Sequence, residues 1–202
     1  MDNVKIFITG AAGVGKTTLA RRIAKRMGIP FVSTSAKDEV WPKYGIKRYS
    51  EAHRLCVHDQ FQAISYHREI FHKRLASLEG RISWVTDRSP IDTLAYTMLQ
   101  ASHHDIDDEI INGMIDEFKE ALGKSHLIIY LYLTPEVILE NDGYRVLNKL
   151  HQSTVDALVY RALEILDSSR TLPLVKLPAF ADPVIDEFIV KLPQIFASQR
   201  RR

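Results

Sequence analysis

The sequence predicts an α/β fold, a five-stranded parallel sheet flanked by helices on both faces. Two observations predict it. Five short, β-branched apolar runs alternate with stretches of helical period along the 202 residues, and that alternation builds a parallel sheet through right-handed crossovers. The first run also closes on a glycine-rich segment that opens directly into a helix. At roughly 100–200 residues per domain, the length fits one domain over residues 1–202.

Each element follows from its own residues. Residues 4–9 (VKIFIT) read as a buried strand closed by Gly10. Residues 17–27 are helical and stop at Gly28 and Pro30. Residues 31–33 form the second strand. Residues 36–49 hold Trp41, Pro42, Tyr44 and Gly45 without a clean period, and read as a loop. Residues 51–78 read as one long helix, because Val57, Phe61, Ile64, Phe71, Leu75 and Leu78 recur at three-, four- and seven-residue steps. Residues 82–86 are the third strand, and Pro90 starts a helix that continues over 91–101. After a polar break at 102–107, residues 108–122 are helical. Residues 126–133 are the fourth strand, and Thr134-Pro135-Glu136 caps the helix expected next. A helix over 150–167, a fifth strand over 174–177 and a terminal helix over 183–196 complete the chain.

Composition removes several function classes. With 46% hydrophobic and 26% charged residues the chain is an ordinary globular one, neither disordered nor collagen-like. Lys plus Arg total 27 against 25 Asp plus Glu, a net charge of +2 that does not by itself point to nucleic acid or membrane. No run reaches the ~18 apolar residues of a membrane span, and residues 1–10 do not read as a signal peptide. Cys56 alone builds neither an intrachain disulfide nor a cysteine zinc cluster. The expected location is the cytoplasm.

Sheets of this kind bind ligands at the carboxyl ends of their strands. After the first strand stands Gly10-Ala11-Ala12-Gly13-Val14-Gly15-Lys16-Thr17, which matches G-x-x-x-x-G-K-[ST] in its required strand–helix context. The glycines let successive amides turn inward as an anion nest, and the following helix adds its positive end. Lys16 supplies a charge for the β- and γ-phosphates, the Thr17 hydroxyl suits Mg²⁺, and Thr18 offers a second hydroxyl. These features predict a P-loop NTPase fold using ATP with Mg²⁺. After the third strand, Asp87-Arg88-Ser89-Pro90 sets a carboxylate and a guanidinium beside the nucleotide. Asp87 either orders the Mg²⁺ water shell or accepts a proton from a substrate hydroxyl. The planar fork of Arg88 suits a phosphate.

These motifs resemble those of the P-loop nucleoside and nucleotide kinases. Asp87-Arg88-Ser89 is similar to the Glu/Asp-Arg-Ser of deoxynucleoside kinases and to the Asp-Arg of thymidylate kinases. Residues 130–136 (YLYLTPE) look like the fourth strand and turn of that group, and Asn141-Asp142-Gly143-Tyr144-Arg145 resembles the Asp-Gly-x-Arg of nicotinamide-riboside-kinase-like proteins. The resemblance implies a lid near residues 140–150 in which Arg145 closes over the phosphates, an acceptor region near residues 33–70, and a homodimer as a candidate assembly. One departure stands out. The carboxylate such kinases carry directly after strand two is missing, and the first acid there is Asp38, so the base is Asp38, Asp87 or none. An acceptor that already carries a phosphate needs none, which favours a nucleoside monophosphate, deoxy by resemblance.

On the acceptor side, Trp41 and Tyr44 are the candidate aromatic grips, with His58, His67, Gln60 and Gln62 as further polar candidates. Lys37, Lys43, Lys47 and Arg48 crowd the same loop. They keep open a second acceptor class, a hydroxyl of a hydroxymethylated pyrimidine in DNA. A third reading is a P-loop ATPase or regulatory switch. It is weakened because no Asn-Lys-x-Asp base-reading motif follows the fourth strand.

Overall fold

The computed structural model describes residues 3–101, 104–138 and 148–199. Strand β1 (Lys5–Thr9) runs through the middle of the sheet. It pairs on one side with β3 (Trp84–Thr86) and on the other with β4 (Leu127–Tyr132). The outer strands are β2 (Phe31–Val32) and β5 (Leu174–Pro178), giving the order β2-β3-β1-β4-β5 with every pairing parallel. Ile6, Phe7 and Ile8 are buried without alternation, as expected of a strand covered on both faces.

Eight α-helices surround the sheet among the described residues: α1 (Lys16–Met27), α2 (Ala36–Glu39), α3 (Tyr49–His58), α4 (Gln60–Ala76), α5 (Pro90–Ala101), α6 (Asp108–Gly123), α7 (Lys149–Leu166) and α8 (Asp182–Gln199). A right-handed crossover from β1 to β2 runs one way along the sheet, whereas those from β3 to β4 and β4 to β5 run the other way. Helix α1 therefore covers one face, where it packs with α8. The other face carries α4, α5 and α7, which pack in sequence. The loops after β1 and β3 part at this point and leave a crevice at the strands' carboxyl ends.

The main core joins both sheet faces to their helices through Ile6, Ile8, Ile23, Phe118, Ile128 and Leu192. Each such side chain stabilises the fold by roughly 1.5–3 kcal/mol on burial. A smaller cluster, Val40, Trp41, Ile46, Ala52, Cys56, Ala63, Tyr66 and Ile70, packs α2, α3 and α4 together.

The structure corrects four sequence expectations. Residues 36–49 are not a plain loop; they hold α2 and a 3₁₀ turn at Trp41–Tyr44. The long helix over 51–78 is two helices. Asp59 is extended (φ −144°, ψ 116°), and its carboxylate accepts from the Phe61 and Gln62 amides at 2.8 and 3.1 Å. That cap ends one helix and starts another, and the break shifts the helical phase. Phe61 is left 70% exposed, and Ala63, Tyr66, His67, Ile70 and Phe71 are buried instead. Strand β3 begins at Trp84, with Ile82 exposed. Finally, Thr134-Pro135-Glu136 is a turn closed by Val137 N–H on the Thr134 carbonyl at 3.1 Å, with no helix through Ile138.

Candidate functional site

The phosphate loop needs a backbone that ordinary residues resist. Gly10 sits at φ 146°, and a Cβ there would run into the Leu131 carbonyl oxygen of β4. Ala11 and Val14 point into the core and anchor the loop from behind. Helix α1 opens at Gly15 with no side-chain cap and no acid in its first turn, so its positive end faces outward for an anion. Lys16 is only 6% exposed. Its ammonium donates to the Gly10 and Ala11 carbonyls, both at 2.6 Å, which wraps the side chain around the loop. The Thr17 hydroxyl donates to Asp87 Oδ2 at 2.5 Å, joining the first and third strand ends. Thr18 is exposed on α1.

Beside this loop, Ser89 starts α5. Its Oγ accepts from the Ile91 amide at 3.1 Å, and Asp92 Oδ2 accepts from the Ser89 amide at 2.8 Å. This reciprocal cap, with Pro90 in the first turn, fixes the direction in which Arg88 leaves the strand. The Arg88 guanidinium lies 3.8 Å from Asp92 Oδ1. Burial alone would lower its pKa, but Asp92, Tyr96 and Asp87 outweigh that and raise it.

A cavity of about 400 Å³ opens against these groups. Ala12, Thr17, Asp87 and Arg88 line it on the phosphate-loop side. Trp41, Tyr49, Tyr66 and Tyr96 supply aromatic wall, and Arg74, His67 and Gln100 supply polar wall. Arg74 donates from Nε to the Thr34 carbonyl at 3.1 Å and from Nη1 to Thr93 Oγ1 at 2.7 Å. Among the described residues no carboxylate lies within 4.0 Å of it. Burial first, and then repulsion from Arg88, push its pKa down to about 10, so it stays charged at neutral pH. Burial likewise pulls His67 down to about 4 against the Gln100 side chain, which favours the charged form, and the ring is neutral at pH 7. The Gln100 amide donates to the Tyr49 hydroxyl at 3.1 Å.

The residues singled out in the sequence divide into groups. Thr17, Asp87, Arg88, Asp38, Lys37, Trp41 and His67 share the cavity with the phosphate loop. Trp41 is also core, and its indole N–H donates to the Tyr66 hydroxyl at 2.9 Å. Tyr44 is not part of the lining; its hydroxyl donates to Glu69 at 2.9 Å. Gln62 instead reaches the cap at Asp59, and Gln60 does not line the cavity. Lys43 pairs with Glu69 at 2.6 Å. Arg145 and the segment 141–145 lie outside the described residues, as does most of the expected lid. Sequence reasoning missed Arg74, Tyr49, Tyr96, Gln100 and Gln152. A usable signal was present: polar residues at apolar spacing. Arg74 follows Tyr66 and Ile70 at four-residue steps on α4, and Gln152 precedes Val155 and Val159 on the buried face of α7.

With this geometry in place, comparison with known proteins is informative. A family model described as an AAA domain matches residues 5–177. The chain belongs to the AAA domain family. No curated protein matches it in sequence. Among solved structures, this AAA domain chain is similar to the deoxyadenosine kinase from M. mycoides with bound dCTP. The identity is 14% and the TM-score 0.64, covering 95% of this chain and 100% of that one. It is similar to thymidylate kinase from Candida albicans at 18% identity and TM-score 0.55, covering 98% and 93%. It is also similar to NadR in complex with NR, at 20% identity and TM-score 0.58, covering 94% of this chain and 51% of that one. The likeness is one of fold: this AAA domain has a P-loop nucleotide-kinase-like architecture without matching one kinase subtype.

Proposed function

We propose that this AAA domain protein is a kinase that transfers the γ-phosphoryl of ATP, with Mg²⁺, to a nucleoside or nucleoside monophosphate. The observation that carries this reading is the single cavity that reaches from Thr17, Asp87 and Arg88 to an aromatic wall. Donor tail and planar acceptor fit into one space, as phosphoryl transfer by positioning requires. The fold relatives that are named as deoxyadenosine and thymidylate kinases support an acceptor of this class.

The residues divide the work by chemistry. The loop from Gly10 to Thr18 holds the triphosphate, with Lys16 as its cation. Thr17 Oγ1 and Asp87 Oδ2 form an all-oxygen pair, a donor set that suits Mg²⁺; bound there, the ion neutralises phosphate charge. Because Asp87 Oδ2 already faces Thr17, Asp87 serves the metal side of the site, and Asp38 is the carboxylate left for a hydroxyl acceptor. Arg88 clamps the transferring group, Arg74 holds the acceptor, and Arg145 is assigned to lid closure on the sequence motif. The aromatic walls enclose the acceptor and limit the water around it.

The test offers labelled ATP with three acceptor pools: nucleosides, nucleoside monophosphates, and duplex DNA containing hydroxymethylpyrimidine. Label is expected in one of the small-molecule pools. Label confined to the polymer moves the assignment to a DNA hydroxyl. ATP turnover unchanged by every acceptor makes the protein an ATPase.

A further inference from the structure

We infer that Gln152 is a positioning residue for the phosphate loop: it fixes the Ala12–Gly13 peptide so that the Gly13 N–H faces the donor's phosphates. The inference rests on the kinase reading above and adds a residue that no phosphate-loop motif contains.

Gln152 is 4% exposed, and its Nε2 donates to the Ala12 carbonyl at 2.7 Å across 140 residues of chain. The side chain is held in place by its surroundings. Asn148 caps α7 by accepting from the Leu150 amide at 2.8 Å and the His151 amide at 3.4 Å. One turn beyond Gln152, Asp156 Oδ1 accepts from the Leu133 amide at the end of β4, at 3.3 Å. Val155 and Val159 on the same side are buried. Helix α7 is thus fastened to both β4 and the phosphate loop.

A trans peptide is planar, and its C=O and N–H point in opposite directions. The described residues contain no cis peptide. The Ala12 carbonyl is turned toward the Gln152 carboxamide on α7, so the Gly13 N–H points away from that carboxamide. The Gly13 N–H belongs to the curl of amides just ahead of the uncapped start of α1. Gly13 has φ 81°, and a glycine there changes peptide orientation at little steric cost. The loop does not fix this amide alone; the Gln152 carboxamide does so from outside, before the donor arrives. Preorganised donors of this kind need no reordering on binding.

Calorimetry of the full chain with Mg-ATP tests this on wild type, Gln152→Met and Gln152→Glu. Methionine keeps the volume and helix propensity but donates nothing, and affinity should fall about tenfold or more. Glutamate at pH 8 sets an ionised carboxylate against the Ala12 carbonyl and should weaken binding further. Near pH 5 its protonated form donates again, so the wild-type-to-Glu affinity ratio should shrink as pH falls. A wild-type-to-Glu ratio that does not shrink as pH falls overturns the inference, as does Gln152→Met binding within twofold of wild type. A wild-type chain that binds no triphosphate overturns the kinase reading itself, a distinguishable result. If both variants fail to fold, the Gly13 amide proton in the wild-type chain decides. It should move strongly downfield on adding Mg-ATP, and an unmoved signal overturns the inference.

Discussion

Lys16 and Arg74 are both cations held in protein surroundings, but their partners differ and so do their expected effects. Lys16 is tethered to two carbonyls of its own loop, so its charge is fixed beside the donor. Lys16→Ala should lower kcat/KM by at least about a hundredfold, the scale for losing one fixed donor at a charged group, while the thermal midpoint stays within a few degrees. Turnover near the wild-type rate would remove the phosphate-loop assignment. Among the described residues Arg74 hydrogen-bonds a carbonyl and a hydroxyl, with Asp92 and Asp87 favouring its charge only from beyond ion-pair distance, and a buried cation held this way is costly unless a ligand supplies acceptors. Arg74→Met keeps the bulk and removes the fork. Acceptor KM should rise roughly tenfold to a hundredfold with ATP KM unchanged. A rise confined to ATP KM would place Arg74 on the donor side instead.

At the scale of elements, local chemistry decided where the sequence was readable. The strand–glycine–helix junction at Gly10 to Thr17 and the Ser-Pro start of α5 were legible because both are fixed by residues within a few positions. The break at Asp59 was not, since a stripe of apolar residues runs through it and the cap depends on one carboxylate turning back to two amides. Arg74 and Gln152 were missed for a related reason: each occupies a position where periodicity expects an apolar residue, and only the packed structure shows its partner. The cap makes its own prediction. Asp59→Ala should destabilise the protein by about 1 kcal/mol, seen as a lower urea midpoint with an unchanged slope. A midpoint that stays put or rises would mean that α3 and α4 gain as much by fusing as they lose at the cap.

Across the whole molecule, the parallel sheet followed from the strand–helix alternation, but the cavity did not, because it lies where the main core meets the smaller cluster of α2, α3 and α4. His67 stands at that meeting, 2% exposed on α4, and it ties the fold to pH. Burial lowers its native pKa to about 4, against an ordinary 6.5. The unfolded chain takes up a proton as pH drops below 6.5, whereas the native state resists until about 4. In that window the unfolded state binds more protons, so stability rises with pH there. This contribution is fully present above 6.5 and is lost as pH falls toward 4, amounting to about 3 kcal/mol at most. His67→Gln removes the titration while keeping a polar side chain. Urea unfolding at steps from pH 7 to pH 4.5 should show a shallower loss of stability in the variant than in wild type, whatever their difference at pH 7. Parallel curves for the two proteins would mean that His67 takes up its proton as readily in the folded chain as in the unfolded one, and that the cavity wall is wetter than its burial indicates.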